Sequence, residues 1–216
     1  GDAASGDEAL FYIKPYSYLN NGLEIVTHPA SLAFHREAFP WVEISDLAKK
    51  LGYSSHDTYT CGLHVLVSRA GTGATRQDQD VALSKLIFLF WRHWPSLVKF
   101  SRRELEKLKE WADINYKSDE HIDVDGLERG STIEPPSLHD AKYNKGKYAA
   151  INTEHSNTLE IRIFRGTLRV ETILACIELV DLMVDLAMKW DFKKVVNSVW
   201  SDVAAEVGAS RPELAS

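Results

Sequence analysis

Four ionisable residues, Glu24, His64, Glu160 and Arg162, each stand in a short apolar run that alternates as a strand does. Successive strand side chains point to opposite faces. In Thr158-Leu-Glu-Ile-Arg-Ile-Phe164, Leu159, Ile161 and Ile163 share one face, and Glu160 and Arg162 share the other. In Leu63-His-Val-Leu-Val67, His64 opposes Leu63, Val65 and Val67. In Leu23-Glu-Ile-Val-Thr27, Glu24 and Val26 oppose Leu23, Ile25 and Thr27. If these runs join one sheet, its apolar side meets helices. Its other side then carries two carboxylates, an imidazole and a guanidinium. Such a set suits divalent-cation and phosphate chemistry. Mg²⁺ needs few carboxylate oxygens and completes its shell with water and substrate phosphates. A guanidinium offers phosphate or carboxylate a planar fork, and an imidazole can join either. The plainer reading, sufficient for any one strand alone, is a solvated sheet face with cross-strand ion pairs.

Other residues narrow the chemistry. Cys61 and His64 are three apart on a strand and therefore face opposite ways, which argues against a thiol nucleophile with that base. Cys176 falls in an apolar helical pattern and reads as core. Gly71-Thr-Gly-Ala-Thr75 lacks the Gly-Lys-Ser/Thr ending of a phosphate loop. His28 precedes Pro29 at a strand end, where it lines the site or caps the turn. His155 and Asn157 lie in a hairpin connection and suit turn chemistry.

The elements that must position these residues follow from pattern. Residues 1–9 are small and acidic, a flexible arm without the features of a signal peptide. Leu10 to Ile13 is a short apolar strand. Asn20-Asn-Gly22 is a turn signal ahead of the 23–27 strand, which predicts a hairpin. Residues 42–51 predict a helix closed by Gly52. From Asp80, Leu83, Leu86, Ile87, Phe90 and Trp94 recur at helical spacing until Pro95. Residues 103–113 predict another helix, and 115–147 a long polar insertion or lid. Tyr148 to Asn152 and 158–164 predict a second hairpin. A long amphipathic helix covers about 170–190, a last helix 192–206, and 207–216 is a polar tail. The mixture is α+β, an antiparallel sheet with helices packed on one face, and residues 10–206 form a single domain.

Bulk composition bounds the class. The 216 residues carry 44% apolar and 26% charged side chains, an ordinary globular balance. A net charge of −6 argues against a general nucleic-acid binder, although Ser101-Arg102-Arg103 is a local basic patch. Two cysteines make no disulfide framework, and no run is long enough to span a membrane. A reduced, cytoplasmic setting is the expectation.

Several stretches resemble the amidoligase family, including its phage-encoded members. They are Asn21-Gly-Leu-Glu-Ile-Val-Thr-His-Pro29, Cys61-Gly-Leu-His-Val-Leu-Val-Ser-Arg69, Phe100-Ser-Arg-Arg103, and Tyr148-Ala-Ala-Ile-Asn152 running on to Thr158-Leu-Glu-Ile-Arg-Ile-Phe-Arg-Gly-Thr-Leu168. The resemblance implies a glutamine synthetase-like fold and ATP-dependent amide-bond formation between carboxylate and amine substrates, small molecules or peptides, through an acyl phosphate. It implies Mg²⁺ and ATP as cofactors. By position Glu24, His64 and Glu160 match metal ligands, and Arg162, with Glu160, matches the catalytic pair. Arg102, Arg103 and Arg165 match phosphate contacts, with a solvated helix start as an equal account of Arg102 and Arg103. A phage-encoded member would work in its host's cytoplasm. On this view removing the Glu160 carboxylate abolishes ligation and leaves the fold nearly intact. The chain also departs from the family. A strand of closely spaced glutamates does not precede Leu10, Pro15-Tyr-Ser-Tyr18 lacks the usual turn aspartate, and Leu66 stands where a second histidine is common. These departures motivate the alternative, a degenerate or truncated member acting as a binding or structural protein. Metal-dependent hydrolysis at the same carboxylates is a third, weaker reading.

Overall fold

The computed structural model describes residues 9–15, 22–56, 58, 60–114, 148–208 and 211–215. The 1–8 part of the expected arm, the Asn20-Asn21 turn and the expected 115–147 insertion lie outside these residues. The architecture is mixed, with small antiparallel sheets and helices.

Strands β1 (Phe11–Pro15) and β2 (Leu23–Thr27) pair antiparallel, with Phe11 opposite Thr27 and Pro15 opposite Leu23, as the hairpin signal predicts. Helix α1 (Leu32–Glu37), which the sequence reading passed over, is capped by Ser31, whose hydroxyl accepts from the Phe34 N–H at 3.2 Å. Helix α2 (Trp41–Lys50) ends at Gly52, whose φ of 82° supplies the left-handed residue that closes many helices.

Strand β3 (Gly62–Ser68) leads through a short 3-10 turn, Arg69–Thr72, into α3 (Arg76–Arg92). Helix α3 starts four residues before the expected Asp80. The reason is a capping box in which Thr75 Oγ1 accepts from the Asp78 N–H and Asp78 Oδ2 accepts from the Thr75 N–H, each at 3.1 Å. Pro95 falls in the first turn of α4 (Trp94–Ser101), where a missing N–H costs nothing. Helix α5 (Leu105–Trp111) is shorter at both ends than the expected 103–113.

The second hairpin forms between β4 (Ile151–Asn152) and β5 (Thr158–Arg165), with Ile151 opposite Ile161 and Asn152 opposite Glu160. The expected strand from Tyr148 is cut short because its first part joins the chain after α5. Asp113 donates its N–H to the Tyr148 carbonyl, and Ala150 donates to the Asp113 carbonyl, both at 2.8 Å. Strand β5 is central, in the order β3-β5-β4.

Helix α6 (Val170–Lys189) matches the expected long helix, with Ile173, Val180 and Ala187 buried and Ile177 and Val184 half-buried. The expected last helix is two, α7 (Phe192–Asn197) and α8 (Trp200–Ala205), broken at the extended residues Ser198 and Val199. The expected polar tail is docked. Helix α9 (Pro212–Ala215) packs on α6, where Arg211 Nη2 lies 2.7 Å from Asp181 Oδ2 and the Leu214 N–H donates to Glu178 at 2.8 Å.

One core cluster joins Leu83, Leu86, Ile87 and Phe90 of α3 to Leu159, Ile161 and Ile163 of β5 and Leu179, Leu182, Met183 and Leu186 of α6. The apolar faces read from the sequence thus meet as expected. Among the described residues, no helix is long and apolar enough to cross a membrane.

Candidate functional site

The sheet's polar face converges on one carboxylate. Glu160 Oε1 accepts from Arg162 Nη1 at 2.8 Å and lies 2.9 Å from His64 Nδ1. Glu160 Oε2 accepts from Asn152 Nδ2 at 2.9 Å. Each contact follows from strand geometry. Arg162 is two residues along the same strand and shares its face. Asn152 is the direct partner across the β4–β5 pair. His64 reaches Glu160 diagonally from β3, whose Leu66 is Glu160's direct partner.

A β-bulge assists the diagonal. Leu63 pairs with Phe164 but Val65 pairs with Ile161, so Arg162 and Ile163 together oppose His64. Bulges kink a strand locally and re-aim its side chains. The extra residue also explains why Ile163 and Phe164 are both buried although neighbours normally alternate.

Glu160 is ionised at any ordinary pH. Burial by itself would raise its pKa, but the hydrogen bond and charge of His64, the Arg162 guanidinium and the Asn152 amide overcome it and bring the value to about 2. Donating Nδ1–H to this carboxylate leaves His64 Nε2 as the nitrogen open to other chemistry. Arg162 is held further by Nε donating to the Trp111 carbonyl at 3.4 Å.

The other candidates separate. Arg103 belongs to this neighbourhood: its Nη1 donates to the Arg162 carbonyl at 2.8 Å. Its guanidinium pKa is lowered to about 10 by burial and by Arg162, against an opposing pull from Glu110, so it is cationic at neutral pH. Arg102, by contrast, is exposed at the end of α4 with a left-handed φ of 55°, and its charge is felt at Cys176. Arg165 Nε donates to the His56 carbonyl at 2.8 Å and helps fasten the chain ahead of β3. Glu24 stands in the other sheet, 3.1 Å from Lys14 Nζ. Among the described residues β2 pairs with β1 alone, so the single shared sheet expected from the sequence does not form there.

The expected metal set of Glu24, His64 and Glu160 is therefore not brought together. Among the described residues, no group of three or more His, Cys, Asp or Glu side chains is placed to share a metal ion. Both oxygens of Glu160 are also already engaged by donors. These residues do not fit an all-protein Mg²⁺ cage.

Several structural polar residues escaped the sequence reading. Asn152 has a signal only in its register, which places it opposite Glu160. Arg69 is buried and donates to the Thr153 and His155 carbonyls at 3.2 and 3.3 Å, so a side chain distant in sequence ties down the 153–157 connection. His93 is buried, 2.9 Å from Ser198 Oγ. Its pKa falls to about 4 through burial first and then Arg92, against Asp202. Because Ser198 Oγ donates to the Val195 carbonyl at 2.9 Å, this pair is a structural link and not an activated nucleophile. Glu178 on α6 is fully buried, and burial raises its pKa against the Leu214 N–H and Arg36. His28 turns its ring to Tyr12, 6.0 Å between centroids. Burial pushes the Cys176 thiol up to about 12, in keeping with its core reading. Comparison with protein-family models, with curated proteins and with solved structures finds no match for the chain.

Proposed function

We propose that the protein is an ATP-dependent carboxylate–amine ligase of the amidoligase type, built on a glutamine synthetase-like sheet. The observation that carries this reading is the convergence of His64 and Arg162 on the ionised Glu160 carboxylate. In the proposed reaction a substrate carboxylate oxygen attacks the γ-phosphorus of ATP and ADP leaves. An amine then attacks the acyl carbon, and phosphate leaves. Glu160 acts as the anchor that orients the two cations beside it. Arg162, with Nη1 on Glu160 and Nε on Trp111, retains Nη2 for charge developing on the transferred phosphoryl group. His64, with Nδ1 committed, takes the amine's proton at Nε2. Mg²⁺ would enter with the nucleotide and supply charge neutralisation at its phosphates.

The test measures ADP release with Mg-ATP and panels of carboxylates and amines. Release that requires both substrates, and falls about 100-fold or more in Arg162→Lys with the fold retained, is expected. ADP release independent of amine would replace ligation with hydrolysis.

A second reading is favoured by one specific observation: Glu160 is fully engaged by His64, Arg162 and Asn152, as a structural network would be. In that reading the protein keeps the fold for binding. Calorimetry separates the two, since a folded sample with no heat of Mg-ATP binding is not a ligase of this kind.

A further inference from the structure

Helix α6, laid on the core by its apolar residues, also carries an acidic stripe. Glu178, Asp181 and Asp185 are spaced three and four residues apart and share one face. Like charges at that spacing destabilise the helix they stand on. The stripe therefore wants a cationic cover, and the C-terminal segment supplies it. Arg211 is 6% exposed. Its Nε donates to Asp181 Oδ2 at 2.9 Å, and its Nη2 donates to Asp185. Three residues on, the Leu214 N–H donates to Glu178 Oε2 at 2.8 Å, and the Leu214 side chain packs against the core.

This cover is built to come off. Arg211 and helix α9 amount to one helical turn near the end of the chain, where local stability is lowest. Asp181 and Asp185 are half-buried, so salt reaches the ion pairs that hold Arg211. Glu178 is fully buried, yet its Oε1 accepts no hydrogen bond and has the Arg36 Nε only at 3.6 Å. Buried polar atoms are nearly always paired, so the docked segment leaves this carboxylate incompletely satisfied. A second copy of the chain carries the same Arg211-Pro-Glu-Leu214 and the same stripe. Exchange of the segment between copies therefore keeps every contact named above, as domain swapping does.

We propose that Glu178, Asp181 and Asp185 form a docking site for an arginine-led C-terminal segment, held in cis by the chain's own residues 211–215 and open to the same segment of a second copy. The site shares no residue with the Glu160 network and does not depend on ligation.

The test uses a synthetic peptide of residues 208–216, labelled with fluorescein at its N-terminus and titrated with the full chain while anisotropy is read. In the parent the tethered segment competes at a high effective concentration. In Arg211→Ala that competitor is weakened, so the peptide should bind saturably and at least about tenfold more tightly than to the parent. A peptide with the Arg211→Ala change should bind at least about tenfold more weakly, and added NaCl should weaken the parent peptide. Absence of saturable binding to the Arg211→Ala chain overturns the proposal. So does equal binding by a scrambled peptide of the same composition, which would reduce the site to a general attraction for cations. Hydrogen exchange at the Leu214 amide of the parent chain decides the matter if Arg211→Ala does not fold. Exchange faster than that of the α6 core amides and quickened by salt is expected, whereas exchange only with global unfolding means that the segment never leaves its site.

Discussion

The tripeptide Leu-Glu-Ile occurs twice, at 23–25 in β2 and at 159–161 in β5, and its two copies meet opposite fates. Leu159 is 1% exposed and Leu23 is 41% exposed. Glu160 is held by an imidazole, a guanidinium and an amide, whereas Glu24 meets the flexible Lys14 at the surface. The difference lies in what the strands join. β5 is central, paired on both edges and laid on the α3–α6 core. β2 belongs to a two-stranded sheet, an arrangement with little stability of its own. An identical local pattern thus makes a site residue in one place and an ordinary surface ion pair in the other.

The largest expected contrast comes from deleting each glutamate. Glu160→Ala leaves the half-buried Arg162 and the buried Asn152 without their acceptor and should cost about 3 kcal/mol or more. This revises the expectation of an intact fold, so Glu160→Gln is the better probe of function. Glu24→Ala should cost less than about 1 kcal/mol. Urea denaturation of both variants measures the gap, and equal losses would remove the distinction drawn between the strands.

The leucines should follow the same order. Leu159→Ala opens a cavity in the core and should cost about 2–4 kcal/mol. Leu23→Ala should stay below about 1 kcal/mol, as surface changes do. The same denaturation curves read both.

Acid should expose the Glu160 network. Its carboxyl is depressed from the model-compound value of 4.5 to about 2. A depressed acid stabilises fully above its unfolded pKa, and that stability is lost as pH falls from near 4.5 towards 2. The loss amounts to about 3 kcal/mol, and Glu160→Gln should flatten this limb of the stability curve. An earlier decline, starting near 6.5 and running down to about 4, belongs to His93, which is buried neutral but protonates on unfolding. That upper limb should persist in Glu160→Gln. Its disappearance there would mean that the two limbs had been assigned to the wrong groups.

The smallest effect lies at the paired arginines. Arg102 adopts a left-handed φ of 55°, so Arg102→Gly should stabilise the protein by about 0.5–1 kcal/mol. Differential scanning calorimetry of the variant against the parent checks it.

Much of this was legible beforehand for a local reason. Alternation in 158–164 correctly separated Leu159, Ile161 and Ile163 from Glu160 and Arg162, because a strand's period of two is intrinsic to its backbone. The α3 stripe was equally plain, but its start was not. Its cap is Thr75 with Asp78, while the familiar signal carries Glu or Gln at that position. The 192–206 segment hid its break because Ser198 has no helix-breaking chemistry of its own; its hydroxyl turns back to Val195.

By itself the sequence determined the α+β mixture, the two hairpins, and the face on which each candidate side chain stands. These depend on neighbours a few residues apart. Only the tertiary structure decided that Glu24 and Glu160 part company, that the bulge opposite His64 aims it at Glu160, and that Arg103 is buried where Arg102 is not. It also decided that Arg211, in what reads as a tail, is clasped by Asp181 and Asp185. Periodicity states which way a side chain points. What lies opposite it depends on strand order and register, which are set by contacts between residues far apart in the chain.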